Sequence, residues 1–183
     1  MKAAEKKTDE VKDIIARRRE QSAIRRGYIS LLIRILVLIV AGYVFFTQVF
    51  LITQTRGLGM FPALKDGDLA IVFRLQQNYA RDDVVAYQTS GQRYFGRIVA
   101  RADDVVTIDE SGTLLVNGTP QSGEILYPTY PKDGIEYPYR VPENYVFVLG
   151  DYRTQTQDSR DFGPILLDDV EGKVITILRR RGI

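Results

Sequence analysis

Residues 94–118 read YFGRIVARADDVVTIDESGTLLVNG, three short runs of β-branched, aromatic and aliphatic residues separated by polar segments. The dipeptides Ser111-Gly112 and Asn117-Gly118 are typical of tight turns between strands. Runs of this length and composition predict strands rather than helices. We therefore expect a succession of short strands over this stretch.

The same pattern extends to both sides of these residues. Strands are predicted at Leu69–Phe73, Asp83–Tyr87, Tyr94–Ala100, Val105–Asp109, Leu114–Val116, Tyr145–Leu149 and Lys173–Leu178. The proline-rich stretch Tyr127–Pro142 is predicted as an extended loop, because proline lacks a backbone donor and restricts the residue before it. No amphipathic helical period longer than two turns lies between the strands. We therefore predict a mainly β domain at residues 55–183.

A long apolar segment precedes this domain. Residues 35–52 carry no charge, and this length is close to the ~20 residues that cross a ~30 Å hydrocarbon core. A buried helix of a soluble core usually has a polar face, and a cleaved secretory signal has a shorter apolar region with a small-residue cleavage site. The segment has neither feature, so we predict an uncleaved transmembrane signal anchor at residues 28–54.

The segment before the anchor predicts its orientation. In residues 1–27, lysine and arginine outnumber aspartate and glutamate, and a basic excess on a short flank marks the cytoplasmic side of a membrane. We therefore predict a cytoplasmic basic tail at residues 1–27, against the lipid bilayer or solvated. The β domain is then extracytoplasmic. Because an external domain without cysteine fits a bacterium that does not rely on extracellular disulfides, we predict a single-pass protein of a bacterial cell membrane.

Composition excludes several kinds of chemistry. The chain contains no cysteine and no histidine, so it has no disulfide, no thiol nucleophile, no Ser-His-Asp triad and no zinc site built on thiolate or imidazole. Its net charge of +2 is too small to indicate nucleic-acid binding. Three aspartate pairs could suggest a metal site: Asp82-Asp83, Asp103-Asp104 and Asp168-Asp169. They lie in turn-like positions, where aspartate is favoured for its conformation, so we expect no metal and no cofactor.

Several stretches, taken in order, resemble one known family. The anchor is followed by GLGMFPALKDGD at 57–68, RDDVVAY at 81–87, YFGRIVARADDVV at 94–106, LLVNG at 114–118 and GDYRTQTQDSRDFG at 150–163. Their order and spacing resemble the type I signal peptidases over most of residues 30–180. The resemblance implies the coiled β-sheet fold that these enzymes share with LexA-type repressors, on a single N-terminal transmembrane helix. A repressor of this kind would carry a self-cleaving dyad and a DNA-binding domain. This chain instead begins with the predicted anchor and lacks the dyad, and both features argue against that alternative.

The departures from the family fall at the catalytic positions. Signal peptidases cut with a serine whose proton is removed by a desolvated lysine. In this chain the serine position holds Gly59 and the lysine position holds Gly96. Glycine supplies neither a hydroxyl nor an amine, so the resemblance implies a catalytically degenerate member that is not an enzyme.

The resemblance also assigns residues around these two positions. Thr156 stands where the family has a serine that supports the lysine, and Asp158 with Arg160 forms a pair that props the site or is purely architectural. The candidates for lining a peptide groove, which are equally candidates for ordinary core positions, are Met60, Pro62, Tyr94 and Phe95.

Two functions remain open. Members that lack the dyad resemble the SipA-type proteins of Gram-positive bacteria, which implies a non-catalytic assembly factor or chaperone for pilus polymerisation. The partners would be pilin subunits or another secreted protein bound by strand addition, with a sortase nearby. Self-association into a homo-oligomer is left open. The alternative is an active serine endopeptidase with unrecognised groups, although its lysines after the anchor, Lys65, Lys132 and Lys173, match no dyad position.

Overall fold

The computed structural model describes the backbone of residues 2–121 and 125–179 and the side chains of residues 25–121 and 125–179. The chain forms two compact units, Met1–Thr47 and Gln48–Ile183. The first unit is helical and the second is built mainly from antiparallel strands. This confirms the mainly β fold expected for the larger part of the chain.

The first unit consists of most of α1, which runs from Lys2 to Val49. Within its segment Arg25–Val49, the most apolar window of 18 residues has a mean hydropathy of 2.6, and none of that window is buried inside the protein. At 1.5 Å per residue, these 25 residues measure about 37 Å, which exceeds the ~30 Å of a hydrocarbon core. The helix is therefore long and apolar enough to cross a membrane.

The predicted anchor at residues 28–54 was wrong in its last five residues. The helix ends at Val49, and β1 (Phe50–Gln54) pairs antiparallel with β2 (Leu69–Phe73), from Phe50 opposite Phe73 to Gln54 opposite Leu69. Hydropathy does not separate the two elements, because Phe50, Leu51 and Ile52 are as apolar as the span itself. The β unit accordingly begins at Gln48 instead of residue 55.

Two sheets make up the β unit. The remaining elements are β3 (Val84–Thr89), β4 (Gln92–Arg101), β5 (Val105–Ile108), β6 (Leu114–Val116), β7 (Thr119–Pro120), β8 (Tyr139–Arg140), β9 (Tyr145–Leu149), α2 (Ser159–Phe162), β10 (Ile165–Leu166) and β11 (Val170–Leu178). The larger sheet has the order β1-β2-β11-β3-β4-β9-β10, and the smaller has the order β7-β6-β5-β8. The predicted bounds of β2, β6 and β9 are confirmed. The predicted loop Tyr127–Pro142 is corrected in one place, because β8 lies within it and pairs with β5.

The core is divided by strand β9. Its residues alternate between two clusters: Val146 and Val148 pack with Ile98 and Tyr87, whereas Phe147 and Leu149 pack with the smaller sheet. Successive side chains of a strand point to opposite faces, so one strand serves both cores. This places the connection after Leu149, where the motif GDYRTQTQDSRDFG begins, at the junction of both sheets.

Candidate functional site

The turn that carries Gly59 touches the motif at 150–163. The backbone N–H of Tyr152 donates to the carbonyl oxygen of Gly59 at 3.0 Å. A Cβ atom added at Gly59 would lie 2.8 Å from Thr156 Oγ1, and one added at Gly150 would lie 2.6 Å from the Gly59 oxygen. Two stretches that are 90 residues apart in sequence therefore meet at the position where the resemblance places the nucleophile.

Thr156 is the side chain nearest to a Cβ atom added at Gly59. It is buried, and its hydroxyl donates a long hydrogen bond of 3.3 Å to the carbonyl oxygen of Gln157. Gly59 and Thr156 therefore lie next to each other in the structure. The Cβ atom of a serine at residue 59 would lie closer to Thr156 Oγ1 than an ordinary van der Waals contact, so one of the two side chains would have to shift.

Asp158 and Arg160 form an ion pair in the interior, with both side chains 1% exposed. Asp158 accepts hydrogen bonds from Arg160 Nε at 2.9 Å and Nη2 at 2.8 Å, and from the backbone N–H of Gly150 at 3.2 Å. Asp158 also caps α2, with Asp161 returning a bond to its backbone. A buried carboxylate needs such partners to offset its desolvation. The pair therefore holds the motif in shape and presents no free group to a ligand.

A second arginine in the same motif, Arg153, was missed by sequence reasoning. It is 1% exposed and donates to the carbonyl oxygen of Gly150 at 2.8 Å, to Thr129 Oγ1 at 2.5 Å and to Gln121 Oε1 at 2.8 Å. Burial lowers the pKa of the Arg153 guanidinium to about 10. The side chain ties the motif to Gln121 and Thr129 through neutral acceptors.

Arg97 links strand β4 to the same motif. Its Nε and Nη2 atoms donate to the two oxygens of Asp151 at 2.9 and 2.7 Å, and Nη1 donates to the carbonyl oxygen of Asp82. The hydrogen bonds that it donates to Asp151 raise the pKa of the Arg97 guanidinium. The bidentate contact fixes the position of residue 96 relative to the motif.

The position next to Arg97 has no room for a side chain. A Cβ atom added at Gly96 would overlap Val148 Cγ1 and would lie 3.3 Å from Tyr87 Cε1 and from the carbonyl oxygen of Leu149. Tyr87 is fully buried, and its hydroxyl has no hydrogen-bond partner within residues 25–121 and 125–179. Desolvation, followed by the charge of Asp158, raises the pKa of that hydroxyl. Val148 and Tyr87 together fill the space beside the position that the resemblance assigns to the lysine.

A groove of about 810 Å³ opens beside Gly59. Its walls are three short stretches and one further residue: 53–60, 91–95, 155–157 and Leu64. Of the predicted groove residues, Met60, Tyr94 and Phe95 line it, whereas Pro62 is exposed and does not. Pro62 is therefore corrected: Leu64 contributes to the wall from the same turn, while Pro62 faces solvent.

Two strand edges border the groove. β1 is the first strand in the sheet order, so one of its edges carries no neighbour among the described strands. β4 pairs with β3 from Gln92 onward but with β9 only from Arg97, so the other edge of its segment Gln92–Gly96 also has no partner among the described strands. Free edges present unpaired N–H and C=O groups to any extended chain that enters.

Lys132 lies near the groove, a position that no sequence pattern predicted. Its Nζ donates to the carbonyl oxygen of Thr156 at 2.7 Å and forms an ion pair with Asp161 at 2.6 Å. The other two lysines considered are engaged elsewhere: Lys65 lies over the ring of Phe61, and Lys173 pairs with Asp83. The separation of 24 residues between Lys132 and Thr156, through a proline-rich stretch, hides this contact from pattern analysis.

The paired aspartates serve as structural anchors. Asp83 accepts from the backbone of Ala80, and Asp104 accepts from Arg81 and from the backbone of Arg101. Across the described ranges, no three His, Cys, Asp or Glu side chains converge as a metal-binding set. These carboxylates therefore hold turns.

Together these features define a class: a β domain with a peptide-sized groove, joined to a helix that is apolar enough to cross a membrane. The sequence matches the model of the family described as signal peptidase, peptidase S26, over residues 26–178. The chain belongs to this family.

The relatives found are peptidases by name. The chain is 30% identical over 135 residues to signal peptidase I of Bacillus caldolyticus, covering 65% of this chain and 74% of that protein. It is 31% identical over 129 residues to the probable thylakoidal processing peptidase 2 of Arabidopsis thaliana, covering 63% of this chain and 34% of the relative, so it spans only about a third of that protein. A crystal structure of a signal peptidase I from Enterococcus faecalis is 28% identical, with a TM-score of 0.46, and covers 54% of this chain and 97% of that chain.

Proposed function

We propose that this member of the signal peptidase family is a non-catalytic, membrane-anchored protein that holds an extended segment of a secreted partner. The proposal that it does not cleave rests on Gly59 and Gly96, which stand where the resemblance puts the hydroxyl and the amine of the dyad. Further support comes from the crowding of Gly96 by Val148 and Tyr87. Attack on a peptide bond needs reacting atoms held about 3–3.5 Å apart in the right orientation. A glycine has no side chain that could supply either reacting group.

The observation that supports binding is the pair of free strand edges on the groove. β1 and the Gln92–Gly96 segment of β4 both lack a neighbouring strand on one side and both contribute residues to the groove wall. An extended segment that entered would gain backbone hydrogen bonds along one edge or both. Glycine at residue 59 removes the nucleophile and leaves these backbone groups untouched.

The identity of the partner is carried by the resemblance to SipA-type proteins. On that basis the partner is a pilin subunit, a sortase acts nearby in the same membrane, and the protein serves as an assembly factor for pilus polymerisation. The excess of lysine and arginine in residues 1–27, ahead of the apolar segment, supports a cytoplasmic N-terminus and a groove on the outer side of the membrane.

Absence of cleavage is tested with the full chain in detergent micelles. A secretory preprotein is incubated at high enzyme concentration, with an active signal peptidase I as positive control. We expect an intact preprotein with this chain and a trimmed one with the control. Trimming by this chain alone would contradict the proposal.

Binding is tested by photo-crosslinking in cells that assemble pili. A photoreactive residue is placed at Gln92, an exposed position on the groove wall, and in a matched control at Glu110, an exposed position in the turn between β5 and β6. We expect a pilin adduct from residue 92 and none from residue 110. Equal adducts from both, or an adduct from residue 110 only, would show that the groove is not the binding surface.

One contact favours the alternative of an active peptidase. Lys132 Nζ lies 2.7 Å from the carbonyl oxygen of Thr156, and Thr156 Oγ1 borders the missing nucleophile. An enzyme built on these two residues would lose activity in Thr156→Val and in Lys132→Met. The Lys132 ammonium is already paired with Asp161, and Thr156 is buried, so we expect no activity for either variant to lose.

A further inference from the structure

The charged side chains that line the groove are all basic. Its lining includes two arginines, several glutamines and threonines, and no aspartate or glutamate. The arginines differ in their surroundings. Arg93 is paired: its guanidinium donates to both oxygens of Glu171, and it reaches Thr53 Oγ1 at 3.3 Å. Arg56 is exposed and has no hydrogen bond or ion pair within the described part of the chain.

Other polar side chains of the groove supply hydrogen-bond donors in addition to the Arg56 guanidinium. Gln92 receives a hydrogen bond from Tyr94 on its oxygen at 3.1 Å, which leaves its amide N–H groups free. Gln155 and Gln157 are exposed on the facing wall. Because the Arg93 charge is balanced by Glu171, Arg56 supplies the one uncompensated charge among the described lining residues.

From this arrangement we infer that the groove selects an extended segment that carries an acidic side chain, which pairs with Arg56. The inference rests on the proposed function, since it names the chemistry of the segment that the two free strand edges would hold. A carboxylate opposite Arg56 would receive charge-assisted hydrogen bonds, which are shorter and stronger than neutral ones. Arg56 follows directly after β1 and Thr55, so a side chain on an added strand would come within its reach.

The experiment uses the full chain in nanodiscs of phosphatidylcholine, a neutral lipid. The probes are three labelled peptides, Gly-Ser-Thr-Val-Thr-X-Thr-Val-Ser-Gly, blocked at both ends, with X as Glu, Gln or Lys. Fluorescence anisotropy measures the affinity of each peptide for the wild type and for Arg56→Gln, Arg56→Glu and Arg140→Glu. Arg140 lies on β8 in the smaller sheet and is exposed, so Arg140→Glu changes the net charge equally outside the groove.

We expect the Glu peptide to bind the wild type about tenfold more tightly than the Lys peptide at low salt, with a smaller difference as salt is raised. Arg56→Gln should remove most of this preference, Arg56→Glu should reverse it, and Arg140→Glu should leave it unchanged. Equal binding of all three peptides by the wild type would overturn the inference while leaving the proposed function in place. No binding of any peptide would overturn both.

A lipid headgroup is the other source of negative charge that Arg56 could meet. The same titrations are repeated in nanodiscs that contain phosphatidylglycerol, an anionic lipid. A preference for the Glu peptide that persists in these discs supports the inference. Loss of the preference there would show that Arg56 contacts lipid, and would overturn the inference for the protein in an anionic membrane.

Discussion

At the scale of single residues, the two glycines at the dyad positions have different surroundings. Gly59 borders the groove, and a Cβ atom added there would have one close neighbouring side chain, that of Thr156. Gly96 is buried in strand β4 against Val148, Tyr87 and the Leu149 backbone. Residue 59 can therefore accept a small side chain with a local adjustment, whereas residue 96 cannot do so without movement in the core.

This difference predicts coupling between residues 96 and 148. Gly96→Ala introduces a Cβ that overlaps Val148 Cγ1, and overpacking of this kind lowers the free energy of unfolding by about 1–3 kcal/mol. In a Val148→Ala background the same change should cost much less, because the overlapping atom is gone. Denaturant unfolding of the four proteins in micelles measures the coupling.

The control pairs Gly96→Ala with Val106→Ala, a buried valine that belongs to the other core cluster. That pair should be additive. Additive behaviour at residues 96 and 148 as well would show that the two positions do not compete for space.

Arg153 predicts a stability effect at the same scale. Arg153→Lys keeps the charge, but an ammonium does not reach the separate acceptors on Gly150, Thr129 and Gln121 with the geometry of a guanidinium. Buried acceptors left unpaired cost about 1–3 kcal/mol each, so we expect the free energy of unfolding to fall by about 2–3 kcal/mol. Arg140→Lys, at an exposed position, should change it by less than about 0.5 kcal/mol; equal effects in both variants would contradict a bracing role for Arg153.

At the scale of elements, the groove depends on an ion pair between strands. Arg93 on β4 pairs with Glu171 on β11, and Gln88 on β3 donates to the same carboxylate at 2.9 Å. Arg93 also reaches Thr53 on β1. One guanidinium therefore connects the two strands whose free edges border the groove.

This link predicts a pH-dependent stability. Hydrogen bonds from Arg93 lower the pKa of Glu171 below its usual 4.5. The folded state therefore binds fewer protons than the unfolded state at this residue, so its contribution is complete above about pH 4.5 and is lost as the pH falls through the lowered pKa. Glu171→Gln should be less stable than wild type at neutral pH, and the gap should close in acid.

The measurement is the free energy of unfolding of both proteins from pH 7 down to below the pKa of glutamate. Glu110→Gln, in an exposed turn, serves as the control and should track the wild type across the range. A constant gap between Glu171→Gln and wild type would show that the carboxylate is not the stabilising form.

Elements also show why sequence reasoning succeeded in some places and not in others. β2, β6 and β9 are apolar runs bounded by turn residues, so their limits are readable. β1 was hidden because its apolar residues continue the span without a break, and β8 because it lies among prolines. α2 is a single turn, yet the spacing of Asp158 and Asp161, the two halves of its capping box, was a signal that could have revealed it.

At the scale of the whole molecule, the motifs predicted which residues lie around residue 59. They did not predict the contacts that distant segments of the chain make with those residues. The neighbourhood of Gly59 and Thr156 and the pairing of Asp158 with Arg160 follow from the resemblance. The contact of Lys132 with Thr156, the triple anchoring of Arg153 and the occupation of the space beside Gly96 depend on tertiary packing between distant segments, which no local pattern encodes.

The junction between α1 and β1 contains no spacer. Thr53, the first residue of the groove wall, follows Val49 by four residues, and extended chain covers at most about 14 Å over that length. For a chain held in a bilayer by α1, the groove wall therefore begins within about 14 Å of the last residue of that helix. Partners tethered to the same membrane would then reach it by lateral diffusion at high effective concentration, an advantage that a freely dissolved chain lacks.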